Sequence, residues 1–154
     1  MRYLRLLFAA VMFAAEPVLA GPFEDGMAAY DRRDYATALK LLRSLAAKGD
    51  ADAQFNLGVM YANGQGVPKD DQQAMSWYRK AADQGDASAQ ANLGVMYANG
   101  RGVPKDDQHG YFWWLLASVG GDADAIKRRD WIETRLTPQQ RAAAQAEARN
   151  WKPR

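Results

Sequence analysis

The few side chains in this sequence that could carry chemistry lie mostly at positions where helices are expected to begin. The motif Lys-Asp-Asp occurs at Lys69–Asp71 and again at Lys105–Asp107. Paired carboxylates can act as a general acid and base or hold a cation. At the start of a helix, however, an aspartate caps unpaired backbone N–H groups and is favoured by the helix dipole. We therefore expect these motifs to be helix caps, with no metal or acid–base role.

Histidine and cysteine chemistry is nearly excluded by composition. His109 is the only histidine, and no serine or aspartate is expected to be its partner, so we predict no catalytic role for it. The chain has no cysteine, which excludes disulfides, cysteine-based metal cages and a thiol nucleophile. A single histidine also excludes a zinc helix of the HExxH type. The sequence therefore predicts no catalytic residue, no metal and no cofactor.

Length and charge narrow the class of protein further. The 154 residues are 48% apolar and carry a net charge of +2, which suits one compact domain or a short repeat array with a buried core. A nearly neutral chain is not typical of nucleic-acid binders, which gather lysine and arginine on one face. The basic run Lys127–Arg129 is balanced by nearby aspartates, so a solvated face is expected there.

Residues 1–20 have the pattern of a secretory signal peptide. Arg2 and Arg5 precede an apolar run at 6–15, and Val18-Leu19-Ala20 provides small residues at a cleavage site. The apolar run is about half of the roughly 20 residues that a membrane span needs. We expect cleavage after Ala20 and an exported protein, periplasmic or alternatively secreted, without a stable membrane anchor.

The rest of the chain repeats with a period of 36 residues. The segment 49–84 and the segment 85–120 are identical at 23 of 36 positions, including the whole stretch Asn56–Gly64, which recurs as Asn92–Gly100. A period of this length is typical of solenoid arrays. The sequence therefore predicts repeated structural units in place of one central core.

Each unit is expected to form a pair of helices. The first helix should run from about Ala51 to Asn63, with Leu57 on its apolar face and Asn63-Gly64 ending it. Gly58 within that helix indicates the close approach of a neighbouring helix. No segment alternates with a period of two, so we predict an all-α fold.

The spaced residues of these units resemble the Sel-one-like repeat, a relative of the tetratricopeptide repeat with a longer, glycine-containing turn. The pattern includes Leu57, Gly58, Tyr61 and Trp77, and it recurs as Leu93, Gly94, Tyr97 and Trp113. It departs from the family at Gly110, where alanine is usual, and we expect this glycine to loosen the first turn of its helix. The resemblance implies a right-handed α/α solenoid.

Four segments should follow the signal peptide: the two clear repeats and one helical segment on each side of them. We expect a tetratricopeptide-like N-terminal helix pair at 21–48, Sel-one-like repeats at 49–84 and 85–120, and divergent capping helices at 121–154. In the last segment, Thr137 is expected to cap a helix whose first residue is Pro138. Gln140 is expected to complete a capping box with Thr137. A polar outer face suits the end of a repeat array.

The resemblance also implies a concave groove, lined by the first helix of each pair, that receives an extended peptide or a segment of a partner protein. Asparagine can hydrogen-bond a peptide backbone in both directions, and valine and phenylalanine can contact its apolar side chains. Alternatively, the asparagines satisfy bonds within the fold and the valines pack between repeats. The candidate groove residues are Asp52, Phe55, Asn56, Val59, Asn63, Ser88, Ala91, Asn92, Val95 and Asn99.

Three functional classes follow from these features. A non-catalytic scaffold or adaptor of the cell envelope is favoured, with another protein or peptide as its partner and no nucleic acid. A peptidoglycan or glycan binder would need exposed aromatic side chains, for which Tyr111 or Trp114 is a candidate, whereas Trp113 holds a core position. A cell-wall or β-lactam-related hydrolase is less favoured, because the cysteines of some relatives and a Ser-x-x-Lys motif are absent.

Overall fold

The computed structural model describes residues 21–154, and the predicted signal peptide lies outside the described residues. Within 21–154 every regular element is an α-helix, which confirms the all-α solenoid of about 36-residue units. No described helix is long and apolar enough to cross a membrane. The eight helices are α1 Pro22–Asp31, α2 Tyr35–Ala47, α3 Ala51–Asn63, α4 Asp71–Asp83, α5 Ala87–Asn99, α6 Asp107–Val119, α7 Ala123–Glu133 and α8 Pro138–Asn150.

Aspartate N-caps define the starts of most helices, and glycines in the left-handed backbone conformation define the ends of α3 and α5. Asp50, Asp86 and Asp122, spaced 36 residues apart, each accept a hydrogen bond from the backbone N–H three residues on. Asp70 and Asp106 cap α4 and α6 in the same way, as the Lys-Asp-Asp motifs predict. Gly64 and Gly100 end α3 and α5 with φ of +68° and +67°, a conformation that favours glycine.

The helices stack in order until α8. The pairs α1/α2, α3/α4 and α5/α6 pack as antiparallel hairpins, and the second helix of each pair packs against the first helix of the next unit. The final helix, α8, packs against α6 and makes little contact with α7. Its start follows the prediction, because Thr137 and Gln140 form a capping box and Pro138 is the first helical residue.

A helical glycine in each repeat makes room for an aromatic ring. A methyl group at Gly58 would lie 2.5 Å from Cδ1 of Tyr78, and one at Gly94 would lie 2.6 Å from Cδ1 of Trp114. The predicted close approach is therefore that of an aromatic side chain from the second helix of the same pair. Burying these rings contributes strongly to the core, since an aromatic side chain removes a large apolar area from water.

The expected loosening of α6 at Gly110 is wrong. The helix begins regularly at Asp107, and Gly110 is buried. A methyl group there would lie 3.2 Å from the carbonyl oxygen of Gly94 and 3.3 Å from Cβ of Ala98. The second repeat has a larger ring, Trp114, where the first has Tyr78, and it has glycine at 110 where the first has Ala74. The missing methyl group lets α5 and α6 approach closely beside the larger ring.

Because Tyr78 is buried, the free energy of unfolding is expected to fall at alkaline pH. Burial raises the pKa of the Tyr78 hydroxyl to about 12 from its usual 10. Between these values the unfolded chain ionises and the folded one does not, so stability present below pH 10 is lost as pH rises towards 12. From pH 9 to pH 11 we expect the free energy of unfolding to fall by about 1 kcal/mol more in the wild type than in Tyr78→Phe. Urea unfolding at both pH values measures this, and equal losses in the two proteins would contradict it.

A repeated loop contact fixes each unit against the one before it. The turn after α3 lies on the start of α2, where a methyl group at Gly66 would be 2.8 Å from Cβ of Tyr35. The turn after α5 lies in the same way on the start of α4, where a methyl group at Gly102 would be 2.7 Å from the carbonyl oxygen of Asp71. Both glycines have positive φ. The loop glycines therefore hold the register between units.

The residue before each of these glycines adds a polar bond across the same junction. Gln65 accepts a hydrogen bond from the hydroxyl of Tyr30 at 2.9 Å, and Arg101 pairs with Asp71 through Nη2–Oδ1 at 2.7 Å and Nε–Oδ2 at 3.3 Å. The hydrogen bond from Arg101 lowers the pKa of Asp71. This part of the stability is present above the usual aspartate pKa and is lost as the pH falls through the lowered value. A third junction pairs Arg135 with Asp107 at 3.1 Å.

Candidate functional site

The predicted groove residues of α5 lie together and face α7. Ser88, Ala91, Asn92 and Val95 line a cavity of about 180 Å³ between the two helices. Its other wall consists of α7 and the residues just before it: Asp122, Asp124, Ala125 and Arg128. The structure therefore brings the α5 candidates together on a concave surface, with a charged wall opposite them.

A second, more apolar cavity continues from the first. Asn99, the last α5 candidate, lines a volume of about 310 Å³ together with Ala98 and Trp114 on one side and Lys127, Arg128 and Trp131 on the other. Arg128 lines both cavities. We call this continuous feature, from Ser88 and Asp124 to Asn99 and Trp131, the α5–α7 groove.

The α3 candidates are arranged differently. Phe55 and Val59 are half-buried against the core, and the Phe55 ring centroid is 5.8 Å from that of Tyr78. The Asn56 side-chain amide donates to the backbone carbonyl of Asp52 at 2.8 Å. Asp52 and Asn63 are exposed. None of the α3 candidates lines either cavity of the α5–α7 groove, so the alternative of internal packing and bonding describes α3 better than α5.

The α7 wall occupies the same repeat positions as the predicted groove residues, 36 residues further on. Arg128 corresponds to Asn56 and Asn92, and Trp131 corresponds to Val59 and Val95. Sequence reasoning missed them because the core positions of this unit diverge, with Arg129 and Asp130 standing where Leu57 and Gly58 stand. Counting 36 residues on from the α5 candidates would have found them.

Charge in the groove is concentrated on α7. Asp122 is the helix cap, and Asp124 lies 3.8 Å from Lys127. Arg128 is exposed and forms no ion pair within residues 21–154. At the start of α5, burial raises the pKa of the capping residue Asp86, and the nearby charge of Asp52 raises it further. The groove thus offers one guanidinium for a ligand, close to a row of carboxylates at the helix starts.

The aromatic cluster of α6 does not form a surface. Trp113 is buried, as predicted, but the expectation that Tyr111 or Trp114 would be exposed is wrong, since both are 1% exposed. The Trp114 indole fills the space over Gly94 and donates its N–H to the carbonyl of Ala91 at 3.1 Å. Gln145 of α8 donates to the Tyr111 hydroxyl at 3.0 Å. These side chains stabilise the fold.

Among residues 21–154, Trp131 is the one aromatic residue whose side chain is mostly exposed to solvent. Its side chain is 56% exposed, and the guanidinium carbon of Arg135 lies 4.9 Å from its ring centroid. A cation over an exposed aromatic face stabilises the pair by about 0.5–1 kcal/mol. Trp131 therefore presents an apolar surface at one end of the groove.

His109 has a partner, contrary to the sequence prediction. Its Nδ1 lies 2.8 Å from Oδ2 of Asp106, and its ring stacks on Tyr97 with centroids 5.2 Å apart. Burial of Asp106 opposes its ionisation, but the bonds from His109 prevail and lower the pKa of Asp106. Because Asp106 also caps α6, the pair is part of a helix start. Among residues 21–154 no group of three or more acidic or histidine side chains is arranged to hold a metal ion.

The stacked helix pairs and the groove between the successive first helices α5 and α7 define an α/α solenoid with a concave surface. The chain belongs to the Sel1 repeat family, which matches residues 23–50, 51–86 and 87–122. Proteins built from Sel1 repeats generally mediate protein–protein interactions and are typically non-catalytic scaffolds.

Two solved structures resemble the chain closely. A protective antigen of uropathogenic Escherichia coli strains with an SLR fold is 34% identical, with a TM-score of 0.80 over 84% of this chain and 29% of the antigen. A Sel1 repeat protein from Oxalobacter formigenes is 33% identical, with a TM-score of 0.69 over 71% of this chain and 45% of that protein. The chain thus spans less than half of either protein. Comparison with curated proteins finds no match.

Proposed function

We propose that the protein is a non-catalytic adaptor of the cell envelope that binds an extended segment of a partner protein in the α5–α7 groove. The observation that carries this proposal is the alignment of the α5 candidates with Arg128 and Trp131 along two adjoining cavities. The groove is lined from equivalent positions of successive units, so it suits an extended ligand that crosses them. Envelope location rests on the signal-like composition of residues 1–20.

The groove chemistry indicates the kind of segment that it binds. Trp131 and Ala98 contact an apolar side chain of the bound segment. Arg128 pairs with a carboxylate or a backbone carbonyl of the segment, one or two residues from that side chain. Asn92 has the same position in its helix as Asn56, but its amide makes no bond of the Asn56 type within residues 21–154. Its amide therefore remains available to the backbone of a bound peptide.

Photocrosslinking identifies the partner and places it on the protein. A photoreactive residue at Ser88 or Asn99, which line the groove, is expected to capture one partner from an envelope fraction, to be identified by mass spectrometry. The same residue at Gln72 or Gln139, exposed sites outside the groove, serves as the control. Capture of the same partner with equal yield from all four sites would contradict binding in the groove.

A glycan-binding role is the second candidate, and exposed Trp131 is the observation that favours it. Aromatic rings contact sugar faces, and Asn99 beside Trp131 supplies hydrogen bonds to hydroxyl groups. If this role is correct, the protein co-sediments with purified peptidoglycan, and Trp131→Ala lowers the bound fraction at least fivefold. Trp114 is unsuited to this test, because its side chain is buried and its loss would destabilise the fold. Co-sedimentation that Trp131→Ala leaves unchanged would exclude this surface.

A further inference from the structure

A second concave surface lies where the last turns of α6 and α8 meet. Two adjoining cavities of about 390 and 290 Å³ share Leu116, Val119 and Ala148 and so form one cleft. It exists because α8 packs against α6 and does not pair with α7. We call it the α6–α8 cleft; it is separate from the α5–α7 groove.

The cleft floor is apolar where the preceding unit is charged. Leu115, Leu116 and Val119 of α6 stand at the positions that Arg79, Lys80 and Asp83 occupy in α4. Helix α8 covers Leu116, whose side chain is only 8% exposed, and this explains its apolar character. Helix α8 does not cover Val119, which is 89% exposed. Val119 therefore extends the apolar lining of the cleft to the protein surface, where a ligand can reach it.

The rim of the cleft is cationic. Arg129 and Arg149 line the larger cavity, and no aspartate or glutamate of residues 21–154 lines either cavity. Arg129 is held by Asp130 at 2.7 Å and by the Ser118 hydroxyl at 3.4 Å. Arg149 forms no ion pair within residues 21–154. An apolar floor with an available guanidinium at its edge complements an anionic head on an apolar tail.

The polar groups of the cleft favour an alkyl chain over a peptide. The Ser118 hydroxyl donates to the carbonyl of Leu115, the Gln145 amide donates to Tyr111, and the Gln90 amide donates to the carbonyl of Ala82. The backbone carbonyls of Leu116, Ser118 and Ala148, which line the cleft at the ends of α6 and α8, accept hydrogen bonds from the N–H groups of Gly120, Gly121 and Trp151. A peptide in the cleft would lose solvent from N–H and C=O groups without gaining partners for them, which is costly. An alkyl chain has no such groups.

We propose that the α6–α8 cleft binds a single-chain anionic amphiphile, with the acyl chain along Leu116, Val119 and Ala148 and the carboxylate against Arg149. The inference is independent of the proposed function of the α5–α7 groove. The half-buried Trp151 lines the smaller cavity, so bound ligand changes its surroundings and its fluorescence.

Calorimetric titration with short fatty acids below their micelle concentrations tests the proposal. From hexanoate to octanoate to decanoate, each added methylene is expected to tighten binding by up to about fourfold, as burial of apolar surface predicts. Val119→Asp, which restores the residue type of Asp83, is expected to weaken decanoate binding at least tenfold. Ile126→Asp places the same charge on an exposed apolar residue that does not line the cleft and should leave binding unchanged.

The head-group contact is tested separately. Arg149→Gln should weaken decanoate several-fold and leave decanol binding unchanged, whereas Lys152→Gln should change neither. Both variants and Val119→Asp alter exposed side chains, so thermal melting should match the wild type. Affinity that does not depend on chain length, equal effects of Val119→Asp and Ile126→Asp, or tighter binding of an apolar peptide than of decanoate would each overturn the proposal.

Discussion

Replacing Trp114 with alanine is expected to lower the free energy of unfolding by about 4 kcal/mol. The indole is almost fully buried, fills the space above Gly94, and donates a hydrogen bond to Ala91 across the α5/α6 pair. Its removal leaves a cavity between two helices and a carbonyl without this partner. Urea unfolding followed by circular dichroism measures the loss. Trp131→Ala, which removes an exposed indole, should cost less than about 1 kcal/mol.

A double-mutant cycle tests whether Gly94 exists to accommodate that ring. In the wild type, Gly94→Ala should destabilise by about 2 kcal/mol, because the new methyl group overlaps the Trp114 indole. In the Trp114→Ala background the same change should stabilise by about 1 kcal/mol, since alanine favours helix over glycine and fills part of the cavity. A Gly94→Ala effect of the same sign in both backgrounds would contradict this packing.

Gly102→Ala is expected to lower the free energy of unfolding by about 3 kcal/mol. The residue has φ of +72°, and a methyl group there would meet the carbonyl oxygen and carbon of Asp71 at 2.7 and 2.8 Å. Both the left-handed backbone and the clash with a neighbouring unit oppose the change. Because the contact joins two repeats, we expect broader, less cooperative unfolding as well.

Gly49→Ala is the matched control for this prediction. Gly49 also has a positive φ, +96°, but a methyl group there meets nothing within 4 Å. It should therefore show the backbone cost alone, about 1 kcal/mol. Equal losses in Gly49→Ala and Gly102→Ala would mean that the loop contact with Asp71 contributes nothing.

Most of the fold could be predicted because the chain aligns with itself. The 36-residue period, the aspartate caps and the Asn-Gly helix ends repeat together, so one unit predicts the next, and α3 and α5 have the expected bounds. The capping box at Thr137 is a local signal and was likewise correct. These features depend on residues within a few positions of each other, which sequence shows directly.

Features that depend on distant packing could not be predicted. Tyr111 was a candidate for an exposed aromatic side chain, yet α8 covers it, because α8 packs against α6. Gly110 was expected to loosen its helix, but it lies close to Gly94 and leaves room for the helices to approach beside the bulky Trp114 ring. Arg128 and Trp131 were not predicted to line the groove, because the core residues of their unit no longer match the repeat. The groove positions of that unit still follow the 36-residue spacing.

The dissociation constant of the partner segment captured in the α5–α7 groove tests the central claim most directly. We predict that Arg128→Glu and Asn92→Ala each weaken binding at least tenfold while thermal melting stays within a few degrees of the wild type. Lys40→Glu, the same charge reversal on the exposed face of α2, should bind like the wild type. Unchanged affinity in Arg128→Glu, or losses that appear only where the fold is also lost, would contradict a binding site in the α5–α7 groove.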